Sequence, residues 1–136
     1  MSSASTAPAA QGLRVFLVEN HDDSRLIIGM MLRALGHEVT SAASMQEALA
    51  ALAETTPDVL ISDIGLPDGD GWELMRRLKF PRPVYAIAMS GYGMASDHMR
   101  SQAAGFRHHL VKPMDIEKLE SLLDEAARER DADRRL

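Results

Sequence analysis

A chain of 136 residues suits one domain, and its 46% hydrophobic and 26% charged residues can build an ordinary soluble core, which excludes a wholly disordered chain. The absence of cysteine excludes a disulfide framework and a thiolate metal site, and no apolar run approaches the roughly 20 residues that span a bilayer. A net charge of −5 without a face of clustered Lys and Arg argues against nonspecific binding to nucleic acid.

Met1 to Gln11 is Ser/Ala/Pro-rich, lacks the basic start and apolar core of a secretory signal, and reads as a disordered leader on a cytoplasmic protein. Leu13 to Val18 is a short, nearly continuous apolar run that predicts a strand. Asp22 to Leu35 then places Leu26, Met30, Arg33 and Leu35 in a helix-like register closed by Gly36. The cycle repeats with His37 to Ala42 and the Ala-rich Met45 to Ala53, and again with Val59 to Ser62 and Trp72 to Leu78. Two more rounds follow, Val84 to Met89 with Ala95 to Ala104, and Phe106 to Val111 with Ile116 to Ala127. Five strand and helix alternations with apolar strands predict an α/β doubly wound fold, a parallel sheet covered by helices on both faces. The mixed charges from Arg128 to Leu136 read as a charged helical extension or tail, either solvated or an arm for a partner.

In such a sheet all strands point the same way, so their C-terminal loops cluster on one edge, where open α/β folds bind ligands. The first strand brings Glu19 and Asn20 there, the third Asp63, the fourth Ser90 and the fifth Lys112. Asp63 ends a buried-looking run and opens the loop Ile64-Gly65-Leu66-Pro67-Asp68-Gly69-Asp70-Gly71, which makes it the candidate nucleophile. A hard cation such as Mg2+ takes one or two carboxylates with carbonyl and phosphate oxygens, and Glu19, Asn20, Asp63 and the Gly65 backbone carbonyl could supply these. Lys112 would counter the remaining phosphate charge. A carboxylate can form an aspartyl phosphate, and phosphoryl transfer depends mainly on positioning and charge neutralisation.

Each residue alone has a structural explanation, such as a helix cap or a surface turn. Their joint order along one small domain is specific. Val15-Phe16-Leu17-Val18-Glu19-Asn20, the loop from Asp63 to Gly71, Ala88-Met89-Ser90-Gly91-Tyr92-Gly93, and Ala104-Gly105-Phe106 leading to Val111-Lys112-Pro113 together resemble the receiver domain of two-component response regulators, over about residues 13 to 127. The loop wording is also similar to receivers of hybrid histidine kinases. The resemblance implies a flavodoxin-like (βα)5 sandwich with strand order 2-1-3-4-5, with residues 1–11 as leader, 12–127 as the receiver and 128–136 as extension. It implies that Asp63 accepts a phosphoryl group from a histidine kinase or histidine phosphotransfer protein, that Ser90 hydrogen-bonds it and that Lys112 pairs with it. It also implies a switch read by a downstream protein or by homodimerisation through the face of helix four, strand five and helix five, without turnover of a separate substrate.

Two positions depart from the family pattern. Receivers usually carry two acids after the first strand, whereas here the second is Asn20, which keeps a carbonyl oxygen for Mg2+ but removes a charge and predicts weaker affinity. As an alternative role, Asn20 caps the first helix with Asp22 or Asp23. The position where the family commonly has Tyr or Phe, moving inward as the Ser or Thr moves toward the phosphoryl group, is His109, which predicts a retuned switch. These departures leave a second reading, a phosphorylation-independent interaction module with a weakened metal site.

Other signals are weaker. Asp68-Gly69-Asp70-Gly71 fails as a calcium loop because Trp72 takes a ligand position, and His21, Asp22 and Asp23 lack a partner at metal spacing. No phosphate-binding glycine loop points to a nucleotide. A phosphohydrolase would need a second acid two residues after Asp63, where Gly65 stands. The methionines read as adaptable core filler, with Met94 and Met99 on the fourth helix as candidates for a plastic binding face.

Overall fold

A computed structural model of the chain describes residues 12–91 and 98–134. The expected leader, the first part of the expected fourth helix, Met94 and the last two residues lie outside the described residues. Five parallel strands, β1 (Arg14–Val18), β2 (Glu38–Ala42), β3 (Val59–Asp63), β4 (Tyr85–Ser90) and β5 (His108–Val111), form one sheet in the order β2-β1-β3-β4-β5. This is the predicted 2-1-3-4-5 order. The helices are α1 (Asp22–Ala34), α2 (Met45–Ala51), α3 (Gly71–Arg77), α4 (His98–Ala104) and α5 (Ile116–Arg134). Gly65–Leu66 and Gly69–Asp70 pair as a short antiparallel ribbon between β3 and α3.

Two separate cores explain the apolar strands. Alternate residues such as Val15, Leu17, Val59, Ile61, Ile87 and Met89 face Ile28 and Leu32 of α1 and Leu119, Leu122 and Leu123 of α5. The other set, with Phe16, Val18, Leu60, Ala86 and Ala88, faces Met45 and Ala48 of α2 and Trp72 and Leu74 of α3. Burial on both faces is why strands such as β3 and β4 show no polar alternation.

Helix α1 packs one step away from the stripe read in the sequence. Its buried residues are Ile28, Gly29 and Leu32, while Leu26, Ile27 and Met30 are 61%, 55% and 59% exposed. The helix stops where predicted, at Gly36: φ is +98°, and the amides of Gly36 and His37 donate to the carbonyls of Arg33 and Leu32, the bond pair of a Schellman ending. Met99 is a surface residue of α4, 81% exposed, and so is not among the methionines that fill the core.

The loop after Asp63 is held by caps. Asp68 accepts hydrogen bonds from the amides of Met45 and Gln46 at 2.8 and 2.9 Å, closing the N-terminus of α2, and Asp70 accepts from the Glu73 amide at 2.7 Å at the start of α3. Both acids of the would-be calcium motif are therefore committed to helix ends. Helix α5 continues past Ala127, where Glu129 forms a two-armed pair with Arg107 at 2.7 Å on each arm and Arg130 reaches Asp58 at 3.6 Å.

Candidate functional site

Glu19, Asn20, Asp63, Ser90 and Lys112 all lie at the C-terminal edge of the sheet. The register places Asp63 opposite Met89 and Ser90 opposite Val111, so the strand order itself brings Asp63, Ser90 and Lys112 to one edge. Lys112 Nζ lies 2.6 Å from Glu19 Oε1 and 2.7 Å from Asp63 Oδ1, so one ammonium bridges both carboxylates. The Asn20 amide donates to Asp63 Oδ2 at 3.3 Å, and the His21 amide donates to Glu19 Oε2 at 2.9 Å. Gly65, in the ribbon beyond Asp63, is exposed at the same edge.

Charge crowding sets the character of this pocket. Burial is the main force raising the Asp63 carboxyl to about 6, and Glu19 adds to it against the opposing pull of Lys112. Burial also works against ionisation of Glu19, but its pairing with the Asp63 carboxyl, which takes up the proton first, and hydrogen bonds donated by Lys112 and the His21 amide hold it below the ordinary carboxylate value. Lys112 loses by burial and gains more from its two carboxylate partners, so it stays firmly charged. Two carboxylates and one ammonium leave a net negative site that a hard divalent cation would relieve. Among the described residues no three His, Asp or Glu side chains gather as a metal cluster, and this two-carboxylate set suits Mg2+, which keeps most of its ligands as water or substrate oxygens.

The alternative role of Asn20, as a cap of the first helix, is not met. The residue at the N-cap of α1 is His21, and no side chain caps it; Asp22 and Asp23 lie in the first turn, where negative charge suits the helix dipole. Arg25 instead ties the junction together, donating to the Glu19 carbonyl at 2.9 Å and to Asp22 at 2.7 Å.

Ser90 and His109 meet. Ser90 Oγ is 2.6 Å from His109 Nε2, and the other ring nitrogen, Nδ1, is 2.7 Å from Ser101 Oγ on α4. Ser101 in turn accepts a hydrogen bond from Trp72 Nε1 at 3.0 Å. His109 is thus a bonded element of the site and not a loose strand residue. Ser101, Trp72 and Gly71 escaped the sequence reading. A Cβ on Gly71 would come within 2.6 Å of the Asp63 carbonyl oxygen, so the glycine is required by close approach of the returning loop; the run Gly69-Asp70-Gly71 was the one available signal.

A doubly wound five-stranded domain with a bridged carboxylate pair at the edge of its sheet defines a class of acidic-pocket α/β domains. The model of the response regulator receiver domain family matches residues 15–124, and the chain belongs to that family, whose general feature is phosphorylation of an aspartate. It is 35% identical over 122 residues to the gliding motility regulatory protein of Myxococcus xanthus, covering 87% of this chain and 16% of that protein. It is also 35% identical over 118 residues to the KDP operon transcriptional regulatory protein KdpE of Escherichia coli, covering 87% of this chain and 52% of KdpE. The chain therefore spans about a sixth and about half of these relatives. Among solved structures, a response regulator receiver domain protein from Clostridium thermocellum superposes with a TM-score of 0.81 at 23% identity, covering 88% of this chain and 98% of that one. The receiver domain of Ssk1 from Saccharomyces cerevisiae, crystallised with the histidine phosphotransfer protein Ypd1, superposes at 0.80 with 21% identity, covering 88% and 92%. These two likenesses show the fold.

Proposed function

We propose that Asp63 is the phosphoacceptor of a two-component phosphorelay and that its phosphorylation switches a protein interaction. The observation that carries this reading is the bridge of Lys112 across Glu19 and Asp63 at a loop cluster on the sheet edge. A carboxylate oxygen of Asp63 attacks the phosphorus of a phosphohistidine; the new P–O bond forms as the P–N bond breaks, and the departing imidazole nitrogen keeps the electron pair. Lys112 neutralises charge on the incoming phosphoryl oxygens, and Ser90 donates a hydrogen bond to one of them. Glu19, Asp63, the Asn20 side-chain oxygen and the Gly65 carbonyl would hold Mg2+, which when bound supplies further neutralisation of phosphoryl charge.

A histidine kinase or histidine phosphotransfer protein is the proposed donor, in keeping with the Ssk1 receiver crystallised with Ypd1. The exposed Leu26, Ile27 and Met30 on α1, the helix that begins beside Glu19 and Asn20, supply an apolar surface for that partner. The gain of phosphoryl charge then shifts the face of α4, β5 and α5 between two arrangements, read by a downstream protein or a second copy of the chain. The setting is cytoplasmic, with no nucleic acid contact and no separate substrate turned over. Among the described residues no helix is long and apolar enough to cross a membrane.

The second reading, a phosphorylation-independent interaction module, rests on Asn20, which removes one metal-binding charge. Intact-protein mass spectrometry after incubation with Mg2+ and acetyl phosphate separates the two. A single phosphoryl adduct on the wild type and none on Asp63→Asn supports the phosphoacceptor; no adduct from acetyl phosphate or from phosphorylated histidine donors supports the module.

A further inference from the structure

The contacts around His109 run as one chain across four elements, from Trp72 on α3 through Ser101 on α4 and His109 on β5 to Ser90 on β4, with links of 3.0, 2.7 and 2.6 Å. Three features hold its geometry. Trp72 and Ser101 are buried, and Arg100 lies 3.9 Å over the indole ring. His98 stacks on His109 at 4.3 Å with 13° between the planes, which fixes the tilt of the imidazole. Ser101 sits in the last turn of α4, where its carbonyl accepts from the Phe106 amide at 3.0 Å as the chain turns at Gly105.

Indole N–H is a donor only, whereas a hydroxyl has one hydrogen and a neutral imidazole has one N–H and one bare nitrogen. Trp72 therefore takes an acceptor position on Ser101 and leaves the Ser101 hydrogen to be placed. Among the described residues the acceptor within reach of that hydrogen is His109 Nδ1, and donation there would put the imidazole hydrogen on Nε2, facing Ser90 Oγ. Ser90 then has its own hydrogen pointing away from His109. The opposite tautomer would require Ser90 to donate to Nε2 and would tie up that hydrogen.

We infer that Trp72, Ser101 and His109 are positioning residues: a directional hydrogen-bond chain that begins at the indole, sets the His109 tautomer and presents the Ser90 hydroxyl hydrogen to the phosphoryl group on Asp63. Ser90 alone touches the reacting group. An aromatic hydrocarbon at position 109 could fill the space but could not orient Ser90.

The test is a long-range 1H–15N correlation of the histidine rings in the full, unphosphorylated chain at mildly alkaline pH, paired with phosphoryl uptake from acetyl phosphate followed by intact mass. In the wild type His109 is expected to carry its hydrogen on Nε2. Ser101→Ala and Trp72→Phe should each populate both tautomers, and Ser101→Ala should slow uptake about two- to tenfold, the range that one neutral hydrogen bond supplies. A hydrogen on Nδ1 in the wild type, or a tautomer unmoved by either variant, overturns the chain. The inference rests on Asp63 as phosphoacceptor, and the failures separate. Absence of a wild-type adduct refutes that reading and with it the role at the phosphoryl group, whereas a wild-type adduct with an unchanged rate in Ser101→Ala refutes the chain alone.

Discussion

At the scale of single residues, burial and Glu19 raise Asp63 to about 6, while its ordinary value is 3.8. The sign has two consequences. A group whose folded pKa lies above its unfolded value costs stability when ionised, so the penalty is present at neutral pH and is relieved as pH falls through about 6. The metal ligand, however, is the carboxylate, so Mg2+ binding to the metal-free chain should weaken as pH drops through that same range, which calorimetric titrations over a pH series would measure. Asp63→Asn, which keeps the shape and removes the buried charge, should raise stability by on the order of 1 kcal/mol in urea unfolding while abolishing uptake. At the neighbouring position, Asn20→Asp restores a carboxylate and should tighten Mg2+ binding about tenfold by calorimetric titration, whereas unchanged affinity would remove Asn20 from the metal site.

At the scale of elements, the loop from Asp63 to α3 is built by contacts between segments. Asp68 caps α2, Asp70 caps α3, and Gly71 donates its amide to the Ile64 carbonyl at 2.8 Å, while a Cβ at this position would meet the Asp63 carbonyl oxygen at 2.6 Å. Gly71→Ala should therefore force the loop from its seat, with a loss of about 1–3 kcal/mol in denaturant unfolding and slower phosphoryl uptake. Stability lost without a change in uptake would place the strain away from Asp63. At the opposite end of the sheet, truncation after Ala127 removes Glu129 from Arg107 and Arg130 from Asp58. Because the Arg107 pair is partly exposed and screened, the expected loss is modest, about 1–2 kcal/mol, with phosphoryl uptake unchanged.

At the scale of the whole molecule, the alternation of short apolar runs with helical segments was enough to read the doubly wound sheet, because a strand buried on both faces leaves no polar alternation to confuse it. The acidic edge was legible for a related reason: parallel strands place their ends together, so Glu19, Asp63, Ser90 and Lys112 could be assembled from order alone. Helix α1 was less legible, since Leu26 and Met30 lie in one apolar register and Ile28 and Leu32 in another, and only packing against β1 and α5 chooses between them. The chain from Trp72 to Ser90 left no trace in the sequence. Ser101 belongs to no motif and meets Trp72 across 29 positions, and the close approach of Gly71 to Asp63 exists only once the loop has folded back.

One carboxylate, Asp63, is expected to take the phosphoryl group. Borohydride reduces an acyl phosphate to an alcohol, so treatment of the acetyl phosphate-labelled protein followed by peptide mapping should convert position 63 to homoserine and leave Glu19, Asp22, Asp68 and Asp70 intact. Reduction at another carboxylate, or at none, would mean that Asp63 is not the phosphoacceptor.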